Sequence, residues 1–123
     1  LNNSICTGNT LKKVKTMLEG VVEHGTAVNI KSPHYKIAGK TGTAQRIVNK
    51  RYTHSYYTSF VGYFPADNPK YSCIVVVDSP KGLNSEGSNV AAPVFREIAD
   101  KVYSLDILLQ NLLKALSVLV YFL

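Results

Sequence analysis

One segment concentrates residue types suited to chemistry: Ala38-Gly39-Lys40-Thr41-Gly42-Thr43-Ala44-Gln45. A cation, two hydroxyls and two glycines stand side by side. Gly39-Lys40-Thr41 has the ending of a phosphate-binding loop. That motif needs a further glycine five positions before Gly39 and must open a helix. His34 occupies the position, and Pro33 beside it removes a backbone donor. The residues that follow read as a strand, so the phosphate-loop reading fails. A Lys-Thr-Gly triplet also recurs by chance. A basic, glycine-containing strand with no role is the plain alternative.

The same triplet occurs in serine acyl-transfer enzymes that act on D-alanyl peptides or β-lactams. A cation at the rim stabilises a substrate carboxylate and assists proton transfer. Glycine lets a substrate backbone lie against the strand edge. A threonine hydroxyl hydrogen-bonds the carboxylate. A backbone N–H just beyond the glycine serves an oxyanion hole, where charge develops in the transition state.

The flanking sequence supplies elements to position such a strand. From Asn9 to Glu23, Leu11, Val14, Leu18, Val21 and Val22 recur three or four apart, as on one helix face. Thr7 or Asn9 suits its N-cap, and Gly25 its end. Ser32-Pro33 marks a turn. Tyr35 to Gln45 reads as extended, because Gly39 and Gly42 oppose a helix while Thr41 and Thr43 favour a strand. Ile47 to Ser55, with Arg46 before it, is basic and polar and reads as a solvated hairpin connection around Lys50, Arg51 and His54. Tyr56 to Phe64 is aromatic and β-branched, a strand. Its Tyr56, Tyr57, Phe60 and Tyr63 read as sheet core. Pro65-Ala66-Asp67-Asn68-Pro69 is a turn. Lys70 to Ser79 is a third strand, and its aliphatic run Ile74 to Val77 predicts cover on both faces. Pro80 to Asn89, with Gly82 and Gly87, reads as a loop. Val90 to Tyr103 reads as a helix with Val94, Ile98 and Val102 on one face and Pro93 in the first turn. Leu105 to Leu123 is a Leu-rich helical stripe, interrupted by Asp106, Gln110, Asn111 and Lys114. It reads as a core helix or a partner-seeking one. The fold class expected is α+β: an antiparallel sheet of about three strands flanked by helices.

Length and composition fit one domain. The chain has 123 residues, 46% hydrophobic and 18% charged, which supports a core and excludes a disordered tail. No apolar run reaches the length of a membrane span. The formal charge of +6 permits anionic partners without demanding them. No nucleic-acid recognition motif accompanies it, so nucleic acid is not an expected partner. Cys6 and Cys73 lack metal-ligand spacing and read as two separate buried thiols, with pairing as the alternative. His24, His34 and His54 are scattered and read as surface or turn residues, so no metal is expected. The sequence does not begin with Met and carries no signal peptide, so it reads as cut from something longer.

From about Leu11 to Tyr103 the chain resembles the C-terminal part of a penicillin-binding protein transpeptidase domain, and most resembles the monofunctional class B enzymes. Met17 to Ala27 (MLEGVVEHGTA) is similar to the family's helix and Gly-Thr-Ala turn before the active-site strand. Ile37 to Gln45 (IAGKTGTAQ) is nearly the family form, with an Ala-Gln ending that favours class B. Thr58 to Pro69 resembles the next strand and turn, Tyr71 to Gly82 the last strand, and Val90 to Phe95 (VAAPVF) the start of the C-terminal helix. The domains expected are 1–103, the C-terminal part of a transpeptidase domain, and 104–123, a Leu-rich tail of unassigned role.

The resemblance implies roles. Lys40, Thr41 and Gly42 would be the catalytic set: Lys40 the bordering cation, Thr41 a strand residue at the site edge, Gly42 the space for substrate or antibiotic. Thr43, Ala44 and Gln45 would bind substrate. Thr43 would hold the substrate carboxylate through its hydroxyl and offer its N–H to the oxyanion. No cofactor and no metal is implied. The implied partners are peptidoglycan stem peptides, β-lactam antibiotics, the remainder of the transpeptidase domain, and the division or elongation machinery. The implied localisation is the inner membrane, with the catalytic domain outside the cytoplasm.

The family's Ser-x-x-Lys and Ser-x-Asn motifs are absent. No serine here has lysine three positions on or asparagine two positions on. Both motifs precede the Lys-Thr-Gly strand in the family, so this chain would carry one wall of the site without the nucleophile. The rival readings are a β-lactamase, carboxypeptidase or β-lactam sensor sharing the triplet, and a non-catalytic module or pseudo-enzyme on the same fold. Three strands lacking a partner edge would expose apolar surface. Poor stability alone, or association with another chain, is therefore expected.

Overall fold

The computed structural model describes residues 5–81 and 86–121, with the backbone alone from 115 onward. Helix α1 spans Gly8–Glu23. Thr7 caps it, its Oγ1 accepting the Thr10 N–H at 3.2 Å. The chain leaves α1 through Gly25, where an added Cβ would lie 2.9 Å from the Val21 backbone. A short 3-10 turn at Val28–Ile30, not anticipated in the sequence, leads on. Strands β1 (Ala38–Val48), β2 (Arg51–Phe64) and β3 (Tyr71–Asp78) form an antiparallel sheet in that order. Helix α2 (Ala91–Tyr121) follows.

The architecture expected is thus present, with corrections. The hairpin connection expected over 47–55 is present but far shorter. β1 and β2 continue through it to Val48↔Arg51. A two-residue turn joins them, Asn49 at φ 51° and Lys50 at φ 63°. Positive φ at both central residues matches the twist of the flanking strands, so the ladder continues to the tip. Arg46 is not at a solvated tip either. It sits where the register shifts, with its guanidinium over the Tyr57 ring and 3.3 Å from Ser79 Oγ.

Among the described residues, strand β3 is not covered on both faces. Ile74 and Val76 remain 63% and 57% exposed, while Cys73 and Val75 pack inward. Alternating side chains point to opposite faces, and α2 covers only one of them. Val61, opposite Ile74, extends the open apolar face. This bears out the exposed apolar surface expected of an incomplete sheet.

The buried face of α2 is Ala91, Ala92, Phe95 and Ala99, not Val94 and Ile98, which are exposed. The alanines let the helix lie close to the sheet. Phe95 then meets Phe60 and Phe64 with ring centroids at 4.8 and 5.8 Å. Val22, Ile30, Tyr35 and Ile37 complete this core. On α1 only Val22 is fully buried; Leu11 and Val14 are exposed. Of the aromatics expected in the core, Phe60 is buried and Tyr57 exposed. Cys6 is exposed, not buried, because it precedes α1 at a bend; both thiols are free. The three histidines are exposed, as expected. Gly82 and Leu123 lie outside the described residues.

The α2 helix runs unbroken across position 103. Tyr35 anchors its middle: its hydroxyl donates to Asp100 Oδ1 at 2.7 Å, and Arg96 Nε donates to the same carboxylate at 2.8 Å. Arg96 also reaches the Ile30 carbonyl at 2.9 Å, tying the 3-10 turn to α2. Among the described residues, no helix is long and apolar enough to cross a membrane.

Candidate active-site strand

Lys40 to Gln45 lie in β1, an edge strand among the described residues. The ladder fixes which backbone groups face outward. The Ser79 N–H bonds the Tyr56 carbonyl at 2.8 Å, so Tyr56 and alternate residues of β2 pair toward β3. The intervening Tyr57, Ser59 and Val61 then pair toward β1, with Ala44, Gly42 and Lys40. Thr41, Thr43 and Gln45 are left with N–H and C=O on the open side. The Lys40 side chain agrees with this, since its Nζ donates to the Thr41 carbonyl at 2.8 Å.

Thr41 and Thr43 share the α2 face of the sheet, opposite Phe60 and Thr58, while Lys40 and Gly42 take the other. Thr41 Oγ1 lies 3.4 Å from Thr26 Oγ1, which links the strand to the turn after α1. Thr43 Oγ1 accepts the Gly87 N–H at 3.2 Å. An acceptor bond of that kind leaves the hydroxyl proton available to donate elsewhere. A Cβ on Gly42 would meet Ser59 Oγ at 2.5 Å, so a side chain there would have to displace the Ser59 hydroxyl. A Cβ on Gly87 would lie 2.5 Å from the Ser59 carbonyl oxygen and 2.6 Å from that of Gly42. The segment entering α2 therefore rests directly on the strand.

Ala44 is exposed beside Tyr57. The Gln45 amide donates instead to the Thr53 carbonyl at 2.9 Å, so it braces the hairpin. A cavity of about 540 Å³ lies between α1 and the strand, lined by Met17, Gly20, His24, Thr26 and Lys40 among others. A larger one, about 620 Å³, is lined by Glu23, Lys31, Lys70 and Asp106 among others. Its charged lining is self-neutralised: Lys70 pairs with Asp106 at 2.8 Å, and Lys31 with Glu23. The hydrogen bond from Lys31 holds the Glu23 carboxyl below its ordinary range. The site strand thus combines an open edge, a cation and two aligned hydroxyls. Gly87 and Thr26 join it from distant sequence, and no local pattern pointed to Gly87. Among the described residues no group of three His, Cys, Asp or Glu is placed to hold a metal.

The chain is similar to known proteins over most of its length. The family model for the penicillin binding protein transpeptidase domain matches residues 1–100. Stage V sporulation protein D of Bacillus subtilis is 41% identical over 90 residues, which are 72% of this chain and 14% of that protein. A peptidoglycan D,D-transpeptidase FtsI of Buchnera aphidicola is 38% identical over 96 residues, 75% of this chain and 16% of that protein. Among solved structures, the transpeptidase domain of FtsI4 D,D-transpeptidase from Legionella pneumophila aligns with TM-score 0.70 and 34% identity, over 83% of this chain and 38% of that one. The transpeptidase domain of Burkholderia pseudomallei penicillin-binding protein 3 aligns with TM-score 0.64 and 40% identity, over 80% and 31%. The chain spans about one sixth of the curated relatives it matches. An edge strand reading Lys-Thr-Gly-Thr, following one helix and preceding another in chain order, with a family match over most of the chain's length, places the chain in the penicillin-binding protein transpeptidase domain family.

Proposed function

We propose that this chain forms the Lys-Thr-Gly wall of a peptidoglycan D,D-transpeptidase that works by serine acyl transfer. A serine outside the chain attacks the penultimate D-Ala carbonyl of a stem peptide. The tetrahedral intermediate collapses and expels the terminal D-Ala, leaving an ester on the serine. An amine from a second stem peptide attacks that ester and forms the cross-link. β-Lactams acylate the same serine.

Within this scheme Lys40, Thr41 and Gly42 border the reacting centre, and Thr43, Ala44 and Gln45 line the bound peptide. The observation that carries the reading is the open side of β1, where the Thr43 N–H faces outward beside a hydroxyl whose proton is free to donate. The N–H suits a developing oxyanion, and the hydroxyl suits a carboxylate. Gly42 lets a peptide approach the edge. Gln45 contributes through its outward backbone, because its side chain is engaged with Thr53. The remaining partners follow from the same assignment: the rest of the transpeptidase domain, and division or elongation machinery. The location is the outer side of the inner membrane.

A fluorescent penicillin tests this. The chain alone should take no covalent label. Mixed with a transpeptidase segment that carries Ser-x-x-Lys and Ser-x-Asn, it should restore labelling of that segment's serine, and Lys40→Ala should slow it at least about tenfold. Labelling of the isolated chain, or a rate indifferent to Lys40, overturns the proposal.

A further inference from the structure

The β1–β2 hairpin runs past the sheet that supports it. β3 pairs with β2 only from Phe64 to Tyr57, and the Ser79 N–H adds one last bond to the Tyr56 carbonyl. From Gln45 to Tyr56, among the described residues, the hairpin is a two-stranded ribbon. Such a ribbon is marginal by itself. Here its base is pinned to all three strands. Gln45 Nε2 donates to the Thr53 carbonyl at 2.9 Å, and Thr53 Oγ1 donates to the Arg46 carbonyl at 3.0 Å. Ser55 Oγ lies 2.6 Å from Ser79 Oγ, which donates to Asp78 Oδ1 at 2.7 Å. Ser79 holds φ 52° to do so, a conformation that residues with a Cβ rarely adopt. The fold thus spends side chains and strain on holding an arm out into solvent.

The tip of the arm carries apolar surface that the described chain leaves open. Ile47 and Tyr52 stand opposite each other in the ladder, so they share a face. They are 58% and 73% exposed. Lys50 and Arg51 beside them are exposed, and among the described residues neither has an ion-pair partner.

The arm continues the proposed substrate edge, and this continuity identifies the occupant. The step rests on the function proposed above, with the reacting carbonyl at the Thr43 N–H and the terminal carboxylate toward Lys40. Peptide upstream of that carbonyl then runs the other way along β1, toward Gln45 and the tip. A stem peptide is joined to glycan at its N-terminus. About four extended residues, some 13 Å, separate the carbonyl from that junction. Val48 lies about 17 Å beyond Thr43 along the strand. The glycan junction therefore comes to lie beside the arm. A sugar ring has an apolar C–H face and a polar rim. An exposed tyrosine next to an aliphatic side chain suits the face, and long cationic donors suit the rim. We propose that the hairpin tip is a glycan subsite: Tyr52, with Ile47, packs on the sugar that bears the stem peptide, and Lys50 and Arg51 donate to its hydroxyl and amide oxygens.

Donor kinetics test the proposal in the full chain assembled with a segment carrying Ser-x-x-Lys and Ser-x-Asn. One donor is a pentapeptide ending in D-Ala-D-Ala. The other is the same pentapeptide on its N-acetylglucosamine–N-acetylmuramic acid disaccharide. The wild type should release D-Ala from the disaccharide form with a kcat/KM about fivefold higher. Tyr52→Ser should erase that preference, and Tyr52→Trp should retain it. The double variant Lys50→Asn, Arg51→Gln should reduce it. All three should keep the wild-type rates on the bare pentapeptide and on fluorescent penicillin. A wild type without the preference overturns the proposal, as does a preference that survives Tyr52→Ser. An equal loss on both donors also overturns it, because the arm would then serve the peptide or the fold. In each of these cases penicillin labelling of the wild type persists and the proposed function stands. An assembly that neither labels nor releases D-Ala overturns both together.

Discussion

The Gly87 backbone N–H donates to the Thr43 hydroxyl at 3.2 Å, joining residues 44 apart in sequence. The contact needs the glycine. Its Cα side faces the paired backbones of Gly42 and Ser59 so closely that a methyl group would stand 2.5–2.6 Å from two carbonyl oxygens. Neither oxygen belongs to a movable side chain. Gly87→Ala should therefore lift the segment entering α2 off the strand, at a stability cost of about 1–3 kcal/mol. Urea denaturation measures this. An unchanged midpoint would show that the segment adjusts at no cost.

Tyr35 gives a pH dependence of definite sign. Burial first, then its hydrogen bond to the Asp100 carboxylate, pushes the Tyr35 phenol well above its ordinary value of 10.0. A group raised in the folded state contributes stability that is complete below its unfolded pKa. It is lost as pH climbs toward the folded value. The melting temperature should fall above about pH 10, and the advantage of the wild type over Tyr35→Phe should shrink over the same range. Asp100 behaves in the opposite way. Burial alone would raise its pKa, but hydrogen bonds from Arg96 and Tyr35 outweigh that and hold it below its ordinary range. Its contribution is present above about pH 4 and fades as pH falls through the depressed value. A flat acid limb in the wild type, matching that of Asp100→Asn, would contradict this.

The tip of the β1–β2 hairpin is improvable. Lys50 holds φ 63°, a conformation that costs a residue with a Cβ about 1 kcal/mol and glycine almost nothing. Lys50→Gly should raise stability by about 0.5–1 kcal/mol, since Asn-Gly is the preferred pair for this turn. Asn49→Val should lower it by at least as much. Thermal melts of the two variants should move in opposite directions.

Particular residues show what the sequence could reveal. The strand around Lys40 was legible because Gly39 and Gly42 oppose a helix and the threonines favour extension. Thr7 was legible as a cap, and 65–69 as a turn, because their chemistry is local. The hairpin connection was legible as well, but not that its strands run on to a two-residue turn. Arg46 to Ser55 is polar because it is exposed on both faces, and polarity alone does not separate a solvated strand from a loop. The buried face of α2 was hidden for a related reason. Val94 and Ile98 are larger than the alanines that contact the sheet, so hydrophobicity pointed to the wrong side. Ile74 to Val77 reads as doubly covered because its composition suits a complete sheet, whereas α2 covers one face among the described residues. The Thr43 partner Gly87 left no local trace, because its role arises only when α2 folds back across the strand.

Thr43 separates the two jobs assigned to its residue, one for the hydroxyl and one for the N–H. Thr43→Val keeps the shape and the backbone N–H but removes the hydroxyl that accepts from Gly87 and donates outward. A hydrogen bond to a charged group contributes about 1.5–3 kcal/mol, so acylation by a carboxylate-bearing penicillin in the assembled domain should slow by roughly 10- to 150-fold. Thr43→Ser should restore most of the rate. The penicillin methyl ester offers no carboxylate, so for it the wild type and Thr43→Val should react at nearly equal rates. Equal losses for acid and ester would mean that the hydroxyl serves only to hold the segment at Gly87. In that case the carboxylate role falls, while the oxyanion role of the N–H, which no side-chain substitution deletes, stays open to a backbone ester substitution at position 43.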